Sequence, residues 1–199
     1  MKKMTLWAVV AATAAVSGSA YAEGYNRAGI SYELETMYPK HGDNLNLNGF
    51  GLNYIHGFGV SSKLPLFVET GAKLSAVFGS IEEKDMGYTY KTDYQVMSLA
   101  VPVNVAYRFS FADGTMGIAP YLGLNFKFNL LAKGKEGGKS YNLFDKDVWD
   151  ANRFQMGWHV GAVYNWNSIY AGLSFGTDFI EIAEDVATST FNITVGYNF

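Results

Sequence analysis

The sequence predicts an all-β fold, namely an eight-stranded antiparallel up-and-down transmembrane β-barrel. Apolar and polar residues alternate with a period of two in eight segments, each long enough to cross a bilayer as a tilted strand of ~9 to 11 residues. The chain contains 22 glycines and 16% aromatic residues, but only 17% of its residues are charged. This composition is typical of a barrel wall in contact with lipid and unusual for a soluble enzyme.

The chain starts with the pattern of a secretory leader. Two lysines precede an apolar run over residues 4–16, and an Ala-x-Ala cleavage pattern ends at Ala22. The run is shorter than the ~20 residues that a transmembrane helix needs. We therefore expect residues 1–22 to be cleaved as a signal peptide. Residues 23–199 should form one β-barrel domain, because no linker or shift in composition divides them.

The charge balance and the cysteine content exclude several classes of function. Without the leader, the chain carries 13 basic and 18 acidic side chains, a formal charge of −5, which gives no electrostatic case for binding nucleic acid. The sequence contains no cysteine, so it offers no site for lipoprotein acylation, disulfide formation or thiol chemistry.

Each predicted strand has one large apolar face and one polar or small face. In the fourth strand, Leu99 lies on the opposite face from Ser98, and Pro102 predicts a bulge because it removes a ladder donor. The second strand is less regular, since Asn53 and His56 leave its phase open. The predicted strands span residues 28–37, 45–58, 66–80, 94–110, 116–131, 153–166, 169–180 and 189–199.

The connections between the strands alternate in length. Residues 112–115 and 165–168 have the pattern of tight turns, whereas the links near 81–93 and 132–152 are long, charged and contain glycine. In bacterial barrels the short turns face the periplasm and the long loops face outward. The predicted outer loops are therefore about 38–44, 81–93, 132–152 and 181–188.

The longest predicted loop holds three exposed aromatic candidates for contact with a ligand or partner. Tyr141, Phe144 and Trp149 are apolar residues on a polar loop, which is a common mark of a contact site. The alternative is that they pack against the rim of the barrel.

The polar faces place charged residues inside the predicted barrel, where they must compensate each other. We expect Glu69 and Arg108 to form a cross-strand ion pair near the periplasmic end and to plug the lumen. A gated ion or proton path along these groups is the alternative. The predicted lumen charges are the acids Glu33, Glu35, Glu69 and Asp178 and the bases Lys73, Arg108, Lys127 and Arg153.

A soluble lipocalin is the rival architecture, because it also has eight antiparallel strands and alternating faces. A lipocalin would expose the face that is here mostly glycine, serine, asparagine and alanine, with few charges. That face makes a poor soluble surface but suits the narrow interior of an eight-stranded membrane barrel.

The last predicted strand carries a signal of its own. Large apolar residues occupy every second position and the chain finishes on an aromatic residue, which resembles the terminal signal for insertion of bacterial outer-membrane barrels. The residues of this pattern are Phe191, Ile193, Val195, Tyr197 and Phe199.

We predict no catalytic, cofactor-binding or metal-binding residue. A lipid A deacylase type of site needs a histidine with a serine two residues on, whereas His159 is followed by Val160 and Gly161. The carboxylates at 82–85 and 145–150 lack the ligand number and the glycine of a calcium loop, so we interpret them as solvated charge.

Strand motifs along the whole mature chain carry a resemblance to a known family. They are Phe67–Gly71, Leu99–Val103, Pro120–Leu124, Gly157–Gly161, Tyr170–Leu173 and Val195–Phe199. With these motifs the chain resembles the small outer-membrane β-barrels that include the PorT-like proteins, and more distantly the OmpA-type and OmpX-type barrels of Gram-negative bacteria.

The resemblance implies a non-enzymatic, monomeric protein of the bacterial outer membrane, exported through the periplasm and inserted by the barrel assembly machinery. It would be surrounded by outer-membrane lipid and lipopolysaccharide, and its loops would contact a surface or envelope partner. Since PorT-like proteins are associated with protein export, an accessory role in secretion follows as an expectation. A porin-like channel for small solutes is one alternative, and a lipid- or glycan-modifying barrel enzyme is another.

Overall fold

The computed structural model describes residues 22–41, 43–85 and 88–199, and every regular element in these ranges is a strand. The predicted signal peptide lies outside these ranges except for Ala22. The strands are β1 (Ala22–Pro39), β2 (Leu45–Gly59), β3 (Leu66–Asp85), β4 (Tyr88–Tyr107), β5 (Phe109–Phe111), β6 (Met116–Glu136), β7 (Lys139–Asn142), β8 (Phe154–Trp166), β9 (Ile169–Asp178) and β10 (Val186–Asn198).

The eight long strands form one closed antiparallel sheet. Each long strand pairs with the next long strand in the sequence, and β1 pairs with β10 to close the ring. The short strands β5 and β7 both pair with β6, at its two opposite ends. The predicted eight-stranded up-and-down barrel is therefore confirmed. No helix in the described part of the chain is long and apolar enough to span a membrane.

The two faces of the wall differ as the alternation predicts. Phe50 and Leu52 on β2 are 71% and 62% exposed on the outside, whereas Glu69 and Gln155 are fully buried inside. Inward and outward side chains alternate along the whole of β2. This alternation places Asn53 inside, where its side-chain oxygen accepts a hydrogen bond from Tyr170, and His56 outside.

At the end with the long connections, β3, β4 and β6 run well beyond the bounds that their apolar pattern predicts, and at the other end β1 begins at Ala22 instead of residue 28. The pairing of β3 with β4 continues through Ile81 and Thr92 to Asp85 and Tyr88, so most of the predicted loop 81–93 is a hairpin. The predicted loop 132–152 likewise begins with a continuation of β6 that pairs with β7. Backbone pairing does not depend on apolar side chains, which explains why polarity alone underestimated these strands. We call residues 80–85, 88–95, 132–136 and 139–142 the protruding sheet.

A β-bulge occurs in β6 and not at Pro102. Pro102 keeps its register opposite Asn125, so the loss of one donor is accommodated without an extra residue. The bulge lies opposite Met97 and Ser98, where Leu130 is the extra residue of β6. Beyond it the phase of the strand is reversed, because a single inserted residue exchanges the two faces.

An apolar cluster fills the interior at the end of the barrel where the long connections lie. Leu143 and Ile182 come from two connections and fold back between the strands, and the backbone N–H of Leu143 donates to the Ala132 carbonyl over 2.9 Å. We call these buried residues the mouth cluster: Met37, Leu45, Leu47, Val77, Val96, Ala132, Leu143, Ala151 and Ile182.

The bulge predicts an unusual response to deletions. Deleting Leu130 alone should be tolerated, because it removes the extra residue and leaves Lys133 and Lys135 on the outside. Deleting Leu130 and Leu131 together moves both lysines inward against the mouth cluster, where an unpaired ammonium is strongly destabilising. We expect only the single deletion to refold to the compact, heat-modifiable form on electrophoresis. Equal folded fractions for the two deletions would contradict this assignment.

Candidate functional site

The candidate site is the polar interior of the barrel. The odd positions of β1 all face inward, so Arg27, Ser31, Glu33 and Glu35 form a buried row along one strand. Inward positions of the other strands contribute further charged and amide side chains. These groups form two clusters, one beside the short turns and one in the middle of the barrel.

The turn-side cluster is built around the carboxylate of Glu69. The Arg27 guanidinium lies 2.7 Å from one carboxylate oxygen, and Asn104 donates to the same oxygen over 3.1 Å. The hydroxyl of Tyr25 donates to the other oxygen. The guanidinium also stacks between two rings, 5.8 Å from the centroid of Tyr25 and 5.7 Å from that of Tyr170. A buried carboxylate with this set of donors is well compensated.

The predicted ion pair between Glu69 and Arg108 is wrong. Glu69 lies opposite Asn104 on β4, and Arg108 is four residues further along, about 13 Å at the rise of a strand. Arg108 stacks on Tyr25 instead, with its guanidinium carbon 5.7 Å from the ring centroid. Its Nε atom is buried and has no hydrogen-bond partner among the described residues.

Arg27 is a buried lumen charge that the predicted strands did not include. It lies one position before the predicted first strand, but it has the same phase as Ser31 and Glu33. Extending the alternation toward the leader would therefore have placed it inside. Its pairing with Glu69 joins β1 to β3, two strands apart, and a pattern along one strand does not reveal such a contact.

The central cluster contains three ion pairs. The Lys73 ammonium lies 3.1 Å from the Glu33 carboxylate, and it donates to the Asn192 side chain over 2.6 Å. The Lys127 ammonium bridges two acids, at 3.2 Å from Glu35 and 2.8 Å from Asp178. The structure thus brings these predicted lumen residues together on the inside of the barrel.

The last predicted base lies elsewhere. Arg153 is exposed, and its guanidinium carbon stacks 3.9 Å from the ring centroid of Phe144 in the connection between β7 and β8. It lies immediately before β8, and the alternation of inward and outward side chains holds only within a strand. The expectation that Arg153 faces the lumen is therefore wrong.

A cavity of about 110 Å³ lies between the clusters. Its lining includes Arg27, Lys73, Lys127 and the ring of His159, whose Nε2 is hydrogen-bonded to Asn104. At about 10–15 Å³ for each water, such a cavity holds several water molecules. The interior thus combines paired charges with a small volume for water.

The three aromatic candidates of the longest connection face the barrel. Tyr141, Phe144 and Trp149 are half-buried and pack against the mouth cluster. The Trp149 ring lies 5.5 Å from that of Tyr94, and the Tyr141 ring covers Gly134. This arrangement supports the alternative of rim packing over that of a free ligand platform.

The residues of the predicted terminal signal lie on the outer face of β10, except Phe199, which directly follows the strand. All of them are exposed, and the strand pairs with β1 on one side and with β9 on the other. In the described ranges, no group of three or more histidine, aspartate or glutamate residues is arranged to hold a metal ion.

Replacement of Glu69 by Gln should be strongly destabilising, because the Arg27 charge stays buried without its counterion. We expect a loss of about 3–5 kcal/mol in the free energy of unfolding, measured by urea titration of the barrel in detergent micelles. The exposed pair of Lys40 and Asp185, 3.4 Å apart, is the control, and Lys40→Gln should cost less than about 1 kcal/mol. An Arg108→Gln variant as unstable as Glu69→Gln would contradict the assigned pair.

No protein-family model matches this sequence, and no curated protein matches it either. Several solved structures are similar. The attachment invasion locus protein Ail of Yersinia pestis, in complex with the heparin analogue sucrose octasulfate, has 19% identity and a TM-score of 0.52, covering 89% of this chain and 100% of that one. Neisserial surface protein A has 13% identity and a TM-score of 0.46, covering 88% and 95%. The N-terminal β-barrel domain of Pseudomonas aeruginosa OprF has 13% identity and a TM-score of 0.37, covering 89% and 100%.

The likeness to Ail shows a shared fold at low sequence identity. Nothing in the comparisons supports the narrower PorT-like resemblance, which stays a prediction. The resemblance to small eight-stranded barrels of the OmpA and OmpX type is confirmed at the level of the fold.

Proposed function

We propose that the protein is an integral barrel of the bacterial outer membrane, with a closed lumen and an extracellular surface that binds a surface or envelope partner. The observation that carries the membrane location is the outer face, where large apolar side chains are exposed on all eight long strands. A soluble protein rarely exposes so much contiguous apolar surface. A closed barrel, in contrast, satisfies its backbone inside lipid. The likeness to Ail supports this proposal through the shared fold.

Two features support a closed lumen. The mouth cluster fills one end of the interior with tightly packed apolar side chains, three of them from the connecting segments. Below it, the buried pairs of Lys127 with Glu35 and Asp178 cross the middle of the barrel. The remaining cavity of about 110 Å³ has room for water but not for a sizeable solute.

The protruding sheet supports the proposed contact with a partner. It rises beyond the apolar face on one side of the barrel, and its last strand, β7, pairs with β6 at one edge. An exposed strand edge is a template on which a partner can add a strand. Ail is named an attachment invasion locus protein, and one of its structures contains a heparin analogue, which is consistent with a barrel of this fold acting in surface contact. A partner in secretion would use the same surface.

The cavity among the paired charges, which has room for several water molecules, favours one second candidate, a channel for small solutes. Such a channel would need the central cluster to rearrange, because its ion pairs now cross the lumen. Outer-membrane location and surface contact would remain unchanged in this alternative.

The location and orientation can be tested with single cysteines, because the chain has none of its own. In intact cells, a membrane-impermeant maleimide should label Lys139→Cys in β7 and not Ser62→Cys in the turn between β2 and β3, since the two sites lie at opposite ends. Both should react once the cells are lysed. Labelling of Ser62→Cys alone in intact cells would reverse the orientation, and protection of both would contradict surface exposure.

The same Lys139→Cys site then tests the contact role. A photo-crosslinker attached there should capture a stoichiometric surface or envelope protein, whereas one attached at Ser62→Cys should not. Recovery of lipid and abundant bystanders alone at both sites would contradict the proposal of a protein partner.

Because the proposed lumen is closed, we expect the barrel not to conduct ions. Single barrels inserted into planar bilayers should give no resolved conductance steps, because apolar packing and buried ion pairs fill the path. Steps that change in size with Glu69→Gln, but not with the exposed Lys40→Gln variant, would favour the channel instead.

A further inference from the structure

A groove lies on the outer face of the barrel where the protruding sheet leaves the apolar face. It has a volume of about 430 Å³, within the ~300–1,000 Å³ range of small-ligand sites. β3, β4, β6 and β7 all contribute to it. The outward-facing side chains of its lining are Phe78, Asp93, Gln95, Lys133, Lys135 and Ser140.

The bulge in β6 brings two lysines into this groove. Because Leu130 reverses the phase of the strand, Ala132 and Gly134 are buried inside while Lys133 and Lys135 are exposed outside. The two lysines are adjacent on the same face, about 7 Å apart along the strand. Gln95 is opposite the first and Asp93 is opposite the second, so the lysines lie beside further polar side chains.

The groove has an excess of positive charge. Its one acid, Asp93, has its carboxylate 3.6 Å from the Lys91 ammonium on the same strand, so its charge already has a counterion. In the part of the chain that the structure describes, neither Lys133 nor Lys135 forms an ion pair. Two ammonium groups are therefore available for an anion.

The lower border of the groove is apolar. Phe78 is 50% exposed, and Phe128 and Leu130 continue the apolar face below the two lysines. Beyond Phe78, the next outward residues of β3 are Ser80 and Glu82, so the face changes from apolar to polar at this level. A ligand that fits here has an anionic group beside the lysines and an apolar part against the wall.

We propose that this groove binds the phosphate group of a phosphorylated glycolipid in the outer leaflet, with the acyl chains lying against Phe78 and Leu130. A phosphate monoester carries about −1.5 to −2 charges at neutral pH and accepts several hydrogen bonds. The two ammonium groups and the Gln95 amide supply donors, and the apolar wall supplies the surface for the chains. This inference rests on the proposed outer-membrane location.

The test uses the full mature barrel refolded into lipid nanodiscs with and without diphosphorylated lipid A. Native mass spectrometry after release should show lipid A bound to the wild type. The Lys133→Gln/Lys135→Gln variant should bind at least about tenfold more weakly, given about 1 kcal/mol for each lysine at an anionic surface. The Lys133→Arg/Lys135→Arg variant should retain binding. The control with equal charge change, Lys40→Gln/Lys63→Gln, should also bind as the wild type does.

The possible outcomes separate this inference from the membrane location. A barrel that does not insert into the nanodiscs would overturn the location itself. A barrel that inserts but binds lipid A equally in the Lys133→Gln/Lys135→Gln variant would overturn only the groove. Equal binding of lipid A without its phosphates would also overturn it, as would binding of a soluble sulfated glycan in place of the lipid.

Discussion

Closure of the sheet between β1 and β10 is the constraint on which the rest of the structure depends. It removes the two unpaired edges that an open sheet would expose. It also limits the interior of eight strands to a width that side chains alone can fill. Every inward residue must therefore fit those facing it. Gly51, for example, lies where a Cβ atom would meet the Glu33 carboxylate and the Ser31 hydroxyl.

Charged side chains and apolar side chains occupy separate layers of this narrow interior. Acids and bases occupy the middle and the turn side, where each buried carboxylate has a cation or several donors within reach. Apolar residues occupy the other end, where the connecting segments return into the barrel. Burying a charge is tolerable only with a partner, so the lumen charges depend on one another across strands that are distant in sequence.

The alternation of faces was the part of the structure that could be predicted from sequence, because a strand has a strict period of two. That period placed Glu33, Lys73 and Lys127 inside correctly. It could not identify the partner of Glu69, since that contact crosses the lumen from β1 and depends on the register of three strands. Nor could it locate the bulge at Leu130, because neighbouring leucines at 130 and 131 suit the outer face equally well. The length of β3 beyond Ser80 and of β4 before Tyr94 was missed because backbone pairing continues through polar residues.

The wall of the barrel is uneven in height. β3, β4 and β6 contain 20, 20 and 21 residues, whereas β8, β9 and β10 contain 13, 10 and 13. The turns at the opposite end are short, so the additional length rises on one flank only. In the proposed membrane setting, a partner approaching parallel to the bilayer would thus meet a high wall from one direction and a low rim from the other. Binding on the high side would fix the orientation of the barrel about the membrane normal. A barrel of equal height all round would leave that orientation free.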